Sequence, residues 1–494
     1  ISTTTIILVM SFDIPLFFMI TFLLSTAVIV FYSIGKFTSF RVYAVGNRQF
    51  STASLVATSL ATFYGGATFI ISITNFSLDP LWIMWRLLGI FISFFILSCL
   101  SVKMSKFIYH ISMPETMARV YGKYPRIITA LLSVFLSITL VATQLHILSE
   151  VISSCINSVN PIFVTMLAAI LLVVYTILGG SRAVVLTDIW QFITFVTLIC
   201  LLGWFMFTQT GRSIKETIAL ITTHKEFGWS EPLLKRQKLA FTFRYLAFIF
   251  AFIEPGYMQH IYMAAQPAQA KKVCLYAGIV GCIVMICCIV TGTFAFLWLP
   301  PDLPRQESLH YLLTHISPLC KGVFCICLLA LTMSTADSRL HISAIMISYD
   351  IVPVILPLRL RKKLSCMDHY KIAYVAILLI VTLSILLCLH IPYFFSLRCL
   401  TDWINRLYIP MVAAPFILAV LGFSTSSTIA LIGMATGALA VSAWRKWIAH
   451  ILRTDSSFFP CVLVSGLTML ALHYVWTRSN RKRKGSKVRH QLSN

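Results

Sequence analysis

Leu329-Ala330-Leu331-Thr332-Met333-Ser334-Thr335-Ala336-Asp337-Ser338 lies inside a long apolar segment, yet it carries adjacent hydroxyls, a carboxylate and a further serine. Hydrocarbon penalises polar atoms that lack partners, so such a cluster needs a partner or a purpose. Sodium prefers hard oxygen donors, and hydroxyls on consecutive helical positions, such as Ser334 and Thr335, can both reach an ion between helices. The competing reading is that each hydroxyl bonds back to the carbonyl one turn earlier.

The surroundings are those of a membrane. The 494 residues are 59% hydrophobic and 11% charged, with a mean hydropathy of +0.88. Soluble domains carry about 25% charged residues, so composition alone predicts a polytopic all-α membrane protein. A span needs roughly 20 apolar residues. About thirteen candidates are centred near 25, 64, 92, 138, 170, 197, 251, 286, 334, 380, 411, 433 and 467. The expected organisation is one transmembrane domain over 1–477. It has a core at 52–423, peripheral helices at 14–35, 425–445 and 458–476, and a basic tail at 478–494.

Net charge is +23, from 39 basic and 16 acidic residues. That excess suits nucleic acid or cytoplasmic loops of a membrane protein; because basic residues lie mainly between apolar spans, the second reading holds and no nucleic-acid partner is expected. Lys36, Arg41 and Arg48, then Lys103 to Arg126, Lys271 and Lys272, Arg359 to Lys363, and the tail all follow odd-numbered spans. The N-terminus is therefore expected outside and the C-terminus in the cytoplasm, in the plasma (cell inner) membrane. The loop at 209–238 and the Arg445 to Arg453 region fit this rule poorly. Fourteen cysteines show no metal-ligand spacing, and nothing before the first apolar stretch resembles a cleavable signal. No nucleotide-binding loop or hydrolase elbow appears, so an enzyme is not expected.

Two spans are interrupted. Ala61-Thr62-Phe63-Tyr64-Gly65-Gly66 breaks the second and Glu254-Pro255-Gly256 the seventh. Such breaks free backbone groups, which hydrocarbon tolerates only beside a polar cavity. They lie five spans apart, as the first helices of two units that would run inverted to each other. Interrupted segments at matching places in inverted halves point to a midplane binding site in a secondary transporter. Glu254 could bind a substrate ammonium, couple protons or pair with Arg244, although ten residues of helix separate that pair by about 15 Å. Gln144 and His146 are candidates for substrate or for a helix–helix hydrogen bond. Asp337 and Arg339 are expected to share one end of a polar patch or, for Asp337, to line an aqueous vestibule. Arg86, beside Trp82 and Trp85, is expected to snorkel to the interface.

Four stretches resemble the sodium/solute symporter family. Tyr43-Ala44-Val45-Gly46-Asn47-Arg48 is similar to the family's Tyr-x-x-Gly-x-Arg element, and Met113-Pro114-Glu115-Thr116 with Arg119, Tyr121 and Gly122 to its Pro-Glu segment. Gly179-Gly180 through Ala183-Val184, Thr187-Asp188 and Gln191 is similar to its most specific signature. Leu331 to Ser338, followed by Tyr349-Asp350-Ile351, resembles its sodium-site helix. The resemblance implies a LeuT-type 5+5 inverted-repeat core over spans 2–11. It also implies Na+ as coupling ion, with no other cofactor, held by the carbonyls of Ala61, Tyr64 and Leu331 and the hydroxyls of Ser334 and Thr335. Substrate, an amino acid, carboxylate or similar small solute, is implied near Phe63, Ser137, Gln144, Phe248, Phe252, Glu254 and Gly256. Asp188, Gln191 and Asp337 are implied as coupling or structural motif residues. Proline-type members carry Asp where this chain has Phe63. The implied activity is sodium-coupled import by alternating access; the alternatives are a solute-sensing module, with the basic tail meeting a signalling partner, or a carrier with degenerate coupling.

Overall fold

A computed structural model describes residues 13–35, 39–74, 80–155, 160–223, 242, 246, 250, 253–300, 303, 307–357, 359, 365–391, 393–452 and 457–492. No strand occurs among the described residues. The reason is that helices satisfy every backbone group within one segment, as hydrocarbon demands. The principal helices are α1 (Ile14–Ser33), α2 (Thr52–Phe63), α3 (Gly66–Thr74), α4 (Pro80–Lys103), α5 (Met113–Tyr121), α6 (Lys123–Cys155) and α7 (Pro161–Gln209). There follow α8 (Pro255–Tyr262), α9 (Pro267–Trp298), α10 (Pro318–Ile345), α11 (Cys366–His390), α12 (Phe394–Val420), α13 (Ser427–Ala443) and α14 (Phe458–Leu492).

Ten described helices are long and apolar enough to cross a membrane, or eleven with the bent pair α2 and α3. The expected thirteen differ from this for two reasons. At 49 residues α7 would run roughly 74 Å if straight, far beyond a 30 Å hydrocarbon core. Gly180, at φ 52° and ψ −147°, splits it into two limbs that answer to the candidates near 170 and 197. Its φ is one that side-chain-bearing residues rarely adopt, and a Cβ there would also meet the Tyr43 ring at 2.6 Å. The candidate near 251 lies mostly outside the described residues, and so do Arg244, Phe248 and Phe252.

The first break lies at Tyr64, and the described part of the second interrupted segment starts at Ile253. α2 ends at Tyr64, which turns the chain at ψ 68°, and α3 leaves at an angle of 63°. Glu254 is extended, and Pro255 opens α8 where no amide hydrogen is needed. At the centre stands α10, part of a span that is 83% buried; the α1 and α14 spans, 33% and 22% buried, lie at the periphery. α10 packs against α7, α6, α1 and α2, and so joins both repeats. α13 packs against α14 and α12. α14 carries its helix on to Leu492, through the basic run.

Candidate functional site

The first break and α10 meet directly. The Ser334 hydroxyl donates toward the carbonyl of Ala61 at 3.1 Å and lies equally close to that of Leu331. Thr335 Oγ1 donates to the same Leu331 carbonyl at 3.0 Å, so both hydroxyls bond back one turn along α10, and Ser334 also reaches across to the first break. Ala61 belongs to the last turn of α2, where carbonyls run out of helical partners. Four of the five sodium candidates therefore come together as neutral, hard oxygen donors, a set that fits a desolvated monovalent cation. Tyr64 lies at the break, and its side chain points away to donate to the Gly281 carbonyl. The glycine pair lets α10 approach. A Cβ on Gly65 would sit 2.7 Å from Thr335 Oγ1, and one on Gly66 2.5 Å from Thr332 Cγ2.

Gln144 serves this junction. Its Oε1 accepts the Gly66 amide at 3.1 Å, satisfying a donor that the break set free at the start of α3. Ser137 bonds back to the Ser133 carbonyl at 2.9 Å, the local alternative for a helical hydroxyl. His146 lies 3.9 Å from Glu150, one turn on. Arg86 departs from expectation: it reaches inward, donating to Ser72 Oγ on α3 at 2.9 Å, because a polar partner is within range.

One turn along α10 from Ser334, a second polar layer crosses the core. Ser338 Oγ donates to Asp188 Oδ2 at 3.3 Å, and Thr58 donates to the same oxygen. Thr62 links Ser338, at 3.0 Å, to His260 Nε2, at 3.3 Å. Asp337 accepts from Tyr175 at 2.7 Å and from Thr187 at 3.4 Å. Gln191 is buried on the same limb of α7 as Asp188. Asp337 and Arg339 do not share a patch, and Asp337 is fully buried, so it lines no vestibule. At 3.6 residues per turn, positions two apart diverge. Arg339 instead pairs with Glu254 at the second break. Gly256 leaves room for the guanidinium, since a Cβ there would come within 2.9 Å of Arg339 Cζ. Phe63 touches Tyr257 of α8, with ring centroids 6.2 Å apart.

A third network gathers the motif residues at one end of the bundle. Arg126 binds Asp350 at 2.8 Å and the Tyr349 carbonyl at 3.1 Å, while Ser112 donates to Asp350 at 2.6 Å. Glu115 accepts from the Ile111 amide at 2.6 Å and the Tyr349 hydroxyl at 3.1 Å. Arg48 donates to the carbonyls of Ile108 and Tyr262 at 2.6 and 3.1 Å. His110, bonded to Thr116 at 2.9 Å, has its imidazole held below its usual range by burial, with Glu115 pulling the other way. Sequence reasoning missed the Glu254–Arg339, Tyr175–Asp337 and Thr58–Asp188 contacts. Each joins positions 85 to 162 residues apart. The sole local trace was a glycine, Gly256, beside an intramembrane acid.

No family model and no curated protein matches the sequence. Solved structures do resemble the fold. A sodium-coupled sialic acid symporter, substrate-bound and outward-open, matches with a TM-score of 0.72 at 16% identity, over 94% of this chain and 97% of that one. Mhp1, a nucleobase-cation-symport-1 family transporter in a closed conformation with bromovinylhydantoin, matches at 0.59 and 14% identity, over 89% and 95%. MhsT in complex with L-phenylalanine matches at 0.53 and 12% identity, over 85% and 98%. At these identities the likeness is one of fold.

Proposed function

We propose that this chain is a sodium-coupled symporter that imports a small organic solute across the plasma membrane by alternating access. The observation that carries the reading is the Ser334 hydroxyl held between the Ala61 carbonyl of one broken helix and the Leu331 carbonyl of α10. An ion bound there ties the first repeat to the second. A state in which these helices are apart loses the ion's ligands, so sodium favours the joined state by its difference in affinity. The solute then meets an ordered break, and downhill sodium entry drives its uptake. The solved structures of like fold include a sialic acid symporter, Mhp1 with a hydantoin bound and MhsT with phenylalanine bound. Those solutes belong to those proteins, and only the general scheme is carried over.

Sodium would be held by Ala61, Leu331, Ser334 and Thr335, with the Tyr64 carbonyl as a fifth ligand. Asp188, Gln191 and Asp337 would keep the second polar layer in register below them. The test is uptake in proteoliposomes of the full chain under an imposed sodium gradient, with a panel of amino acids, carboxylates, sugars and choline-like solutes. Accumulation that collapses when sodium is dissipated supports the reading. Solute binding with no uptake would replace it with a sensing role.

A further inference from the structure

Away from the ion junction, a cavity of about 490 Å³ lies along the seam between the second limb of α7 and α9. That volume falls within the range of about 300–1,000 Å³ common to small-molecule sites. Its walls are one face of each helix: Ile199, Gly203 and Phe207 on α7, and Ile286, Val290 and Phe294 on α9. Each triplet steps by four residues, so the walls run lengthwise for about 12 Å. The Phe207 and Phe294 rings stand 5.2 Å apart, close to the helix ends at Gln209 and Trp298. The slot therefore starts at one end of both helices and runs inward. Half of a 30 Å hydrocarbon core is about 15 Å, so its length is nearly that of one leaflet.

At the same end the chain turns through Gly211, at φ 63°, into a short helix, Ile214–Thr223. Its Ile214 and Ile218 also line the cavity, yet they keep 64% and 56% of their surface exposed. Exposed apolar edges on a short helix, beside the exposed Trp204 of α7, belong at the membrane–water interface.

The slot offers a polar solute no partner. Thr291 Oγ1 donates to the Ile199 carbonyl at 3.3 Å and Thr217 Oγ1 to the Ser213 carbonyl at 2.9 Å, while the Cys287 thiol bonds to Cys200. No charged side chain is among the lining residues. An unfilled slot in hydrocarbon forfeits dispersion contacts along its whole length, and a lipid chain is the material at hand.

Charge at the mouth chooses the lipid. Arg212 and Lys215 flank the entry to the short helix and both are exposed. Neither takes part in an ion pair among the described residues. Their neighbour Glu216 folds back to accept the Ser213 amide at 2.8 Å, and Ser213 Oγ accepts the Glu216 amide at 3.2 Å, a reciprocal helix cap. Two cations against one engaged carboxylate leave the mouth positive. We propose that the seam binds one anionic phospholipid, with an acyl chain between α7 and α9 and its phosphate beside Arg212 and Lys215. A sterol would fill the slot but leave both cations without an acceptor. The site goes beyond the symporter reading, since neither ion nor solute enters it.

The test uses the full chain in mild detergent, where bulk lipid is absent. The probe is phosphatidylglycerol with a photoreactive group midway along one acyl chain; cross-linked peptides are identified by mass spectrometry. Unlabelled phosphatidylglycerol, phosphatidylcholine and cholesterol compete. Labelling should fall within 199–218 and 286–294, and phosphatidylglycerol should compete about tenfold better than phosphatidylcholine. Each basic residue near the surface contributes roughly fivefold to holding an anionic lipid, offset in part here by Glu216. Arg212→Gln combined with Lys215→Gln should bring the two phospholipids within about twofold while the seam is still labelled. Ile286→Trp combined with Val290→Trp fills the slot and should abolish labelling there. Equal competition by the two phospholipids in the parent, stronger competition by cholesterol, or labelling that survives the tryptophan pair would each overturn the inference. So would an unlabelled seam, whether it stays empty or a second copy covers it. The charge variant changes exposed side chains alone, so it decides the matter even if the tryptophan pair misfolds.

Discussion

Ser334→Ala removes one oxygen from the junction of α2 and α10 and leaves the backbone untouched. The hydroxyl stands 3.1 Å from each of two carbonyls on different helices, so its loss takes one of the side-chain ligands from a bound ion. A hydrogen-bonding oxygen facing a charge contributes about 1.5–3 kcal/mol. At about 1.36 kcal/mol per tenfold change, the sodium concentration for half-saturation should rise about 10- to 150-fold. The readout need not await the solute. Sodium at 100 times its dissociation constant stabilises the fold by about 2.7 kcal/mol; a hundredfold weaker site at the same concentration retains only about 0.4 kcal/mol. Thermal melts across a sodium series, with choline holding ionic strength constant, would show the difference. Thr26→Ala is the control, because that buried hydroxyl in α1 bonds only to the Phe22 carbonyl one turn back. It should leave the sodium curve in place. A Ser334→Ala curve within twofold of the parent would refute the assignment of this junction as the ion site.

Gly65→Ala places a Cβ 2.7 Å from Thr335 Oγ1, so the hydroxyl must turn away; sodium stabilisation should weaken about tenfold or more, and an unchanged sodium midpoint would contradict this. Gly256→Ala brings a Cβ to 2.9 Å from both Cζ and Nη2 of Arg339; overpacking of this kind costs about 1–3 kcal/mol, which thermal melts without sodium should register. Arg126→Ala leaves Asp350, with no exposed side-chain surface, without its cation. The expected loss is about 3–5 kcal/mol, and Arg126→Ala combined with Asp350→Asn should recover part of it. Equal melting of the single and double variants would show that the pair is not coupled.

Much of the architecture was legible because its causes are local or compositional. Apolar length marks a span wherever it occurs, and the Gly65–Gly66 and Pro255–Gly256 breaks announce themselves through backbone chemistry. Their five-span spacing gave the inverted repeat. The candidates near 170 and 197 correspond to the two limbs of α7, which a left-handed Gly180 separates within one continuous helix. The hydroxyl cluster in α10 was plain in the sequence, whereas Ala61 and Leu331 as its companions came only from the resemblance to a known family.

Partner choice among buried charges was a different matter. Arg339 lies two residues from Asp337 and 85 from Glu254, yet it pairs with Glu254, while Asp337 turns to Tyr175. Gln144, on sequence grounds a candidate for the solute, caps the freed amide of Gly66. Such contacts depend on which helices pack together and how each is rotated, and a rotation of one residue position, about 100°, exchanges every partner. The sequence by itself determined that the chain spans a membrane in helices, where the first span breaks, and where hydroxyls cluster inside an apolar segment. Only the tertiary structure decided which charge meets which, because that depends on helix rotation and contact, and neither leaves a local mark in the chain.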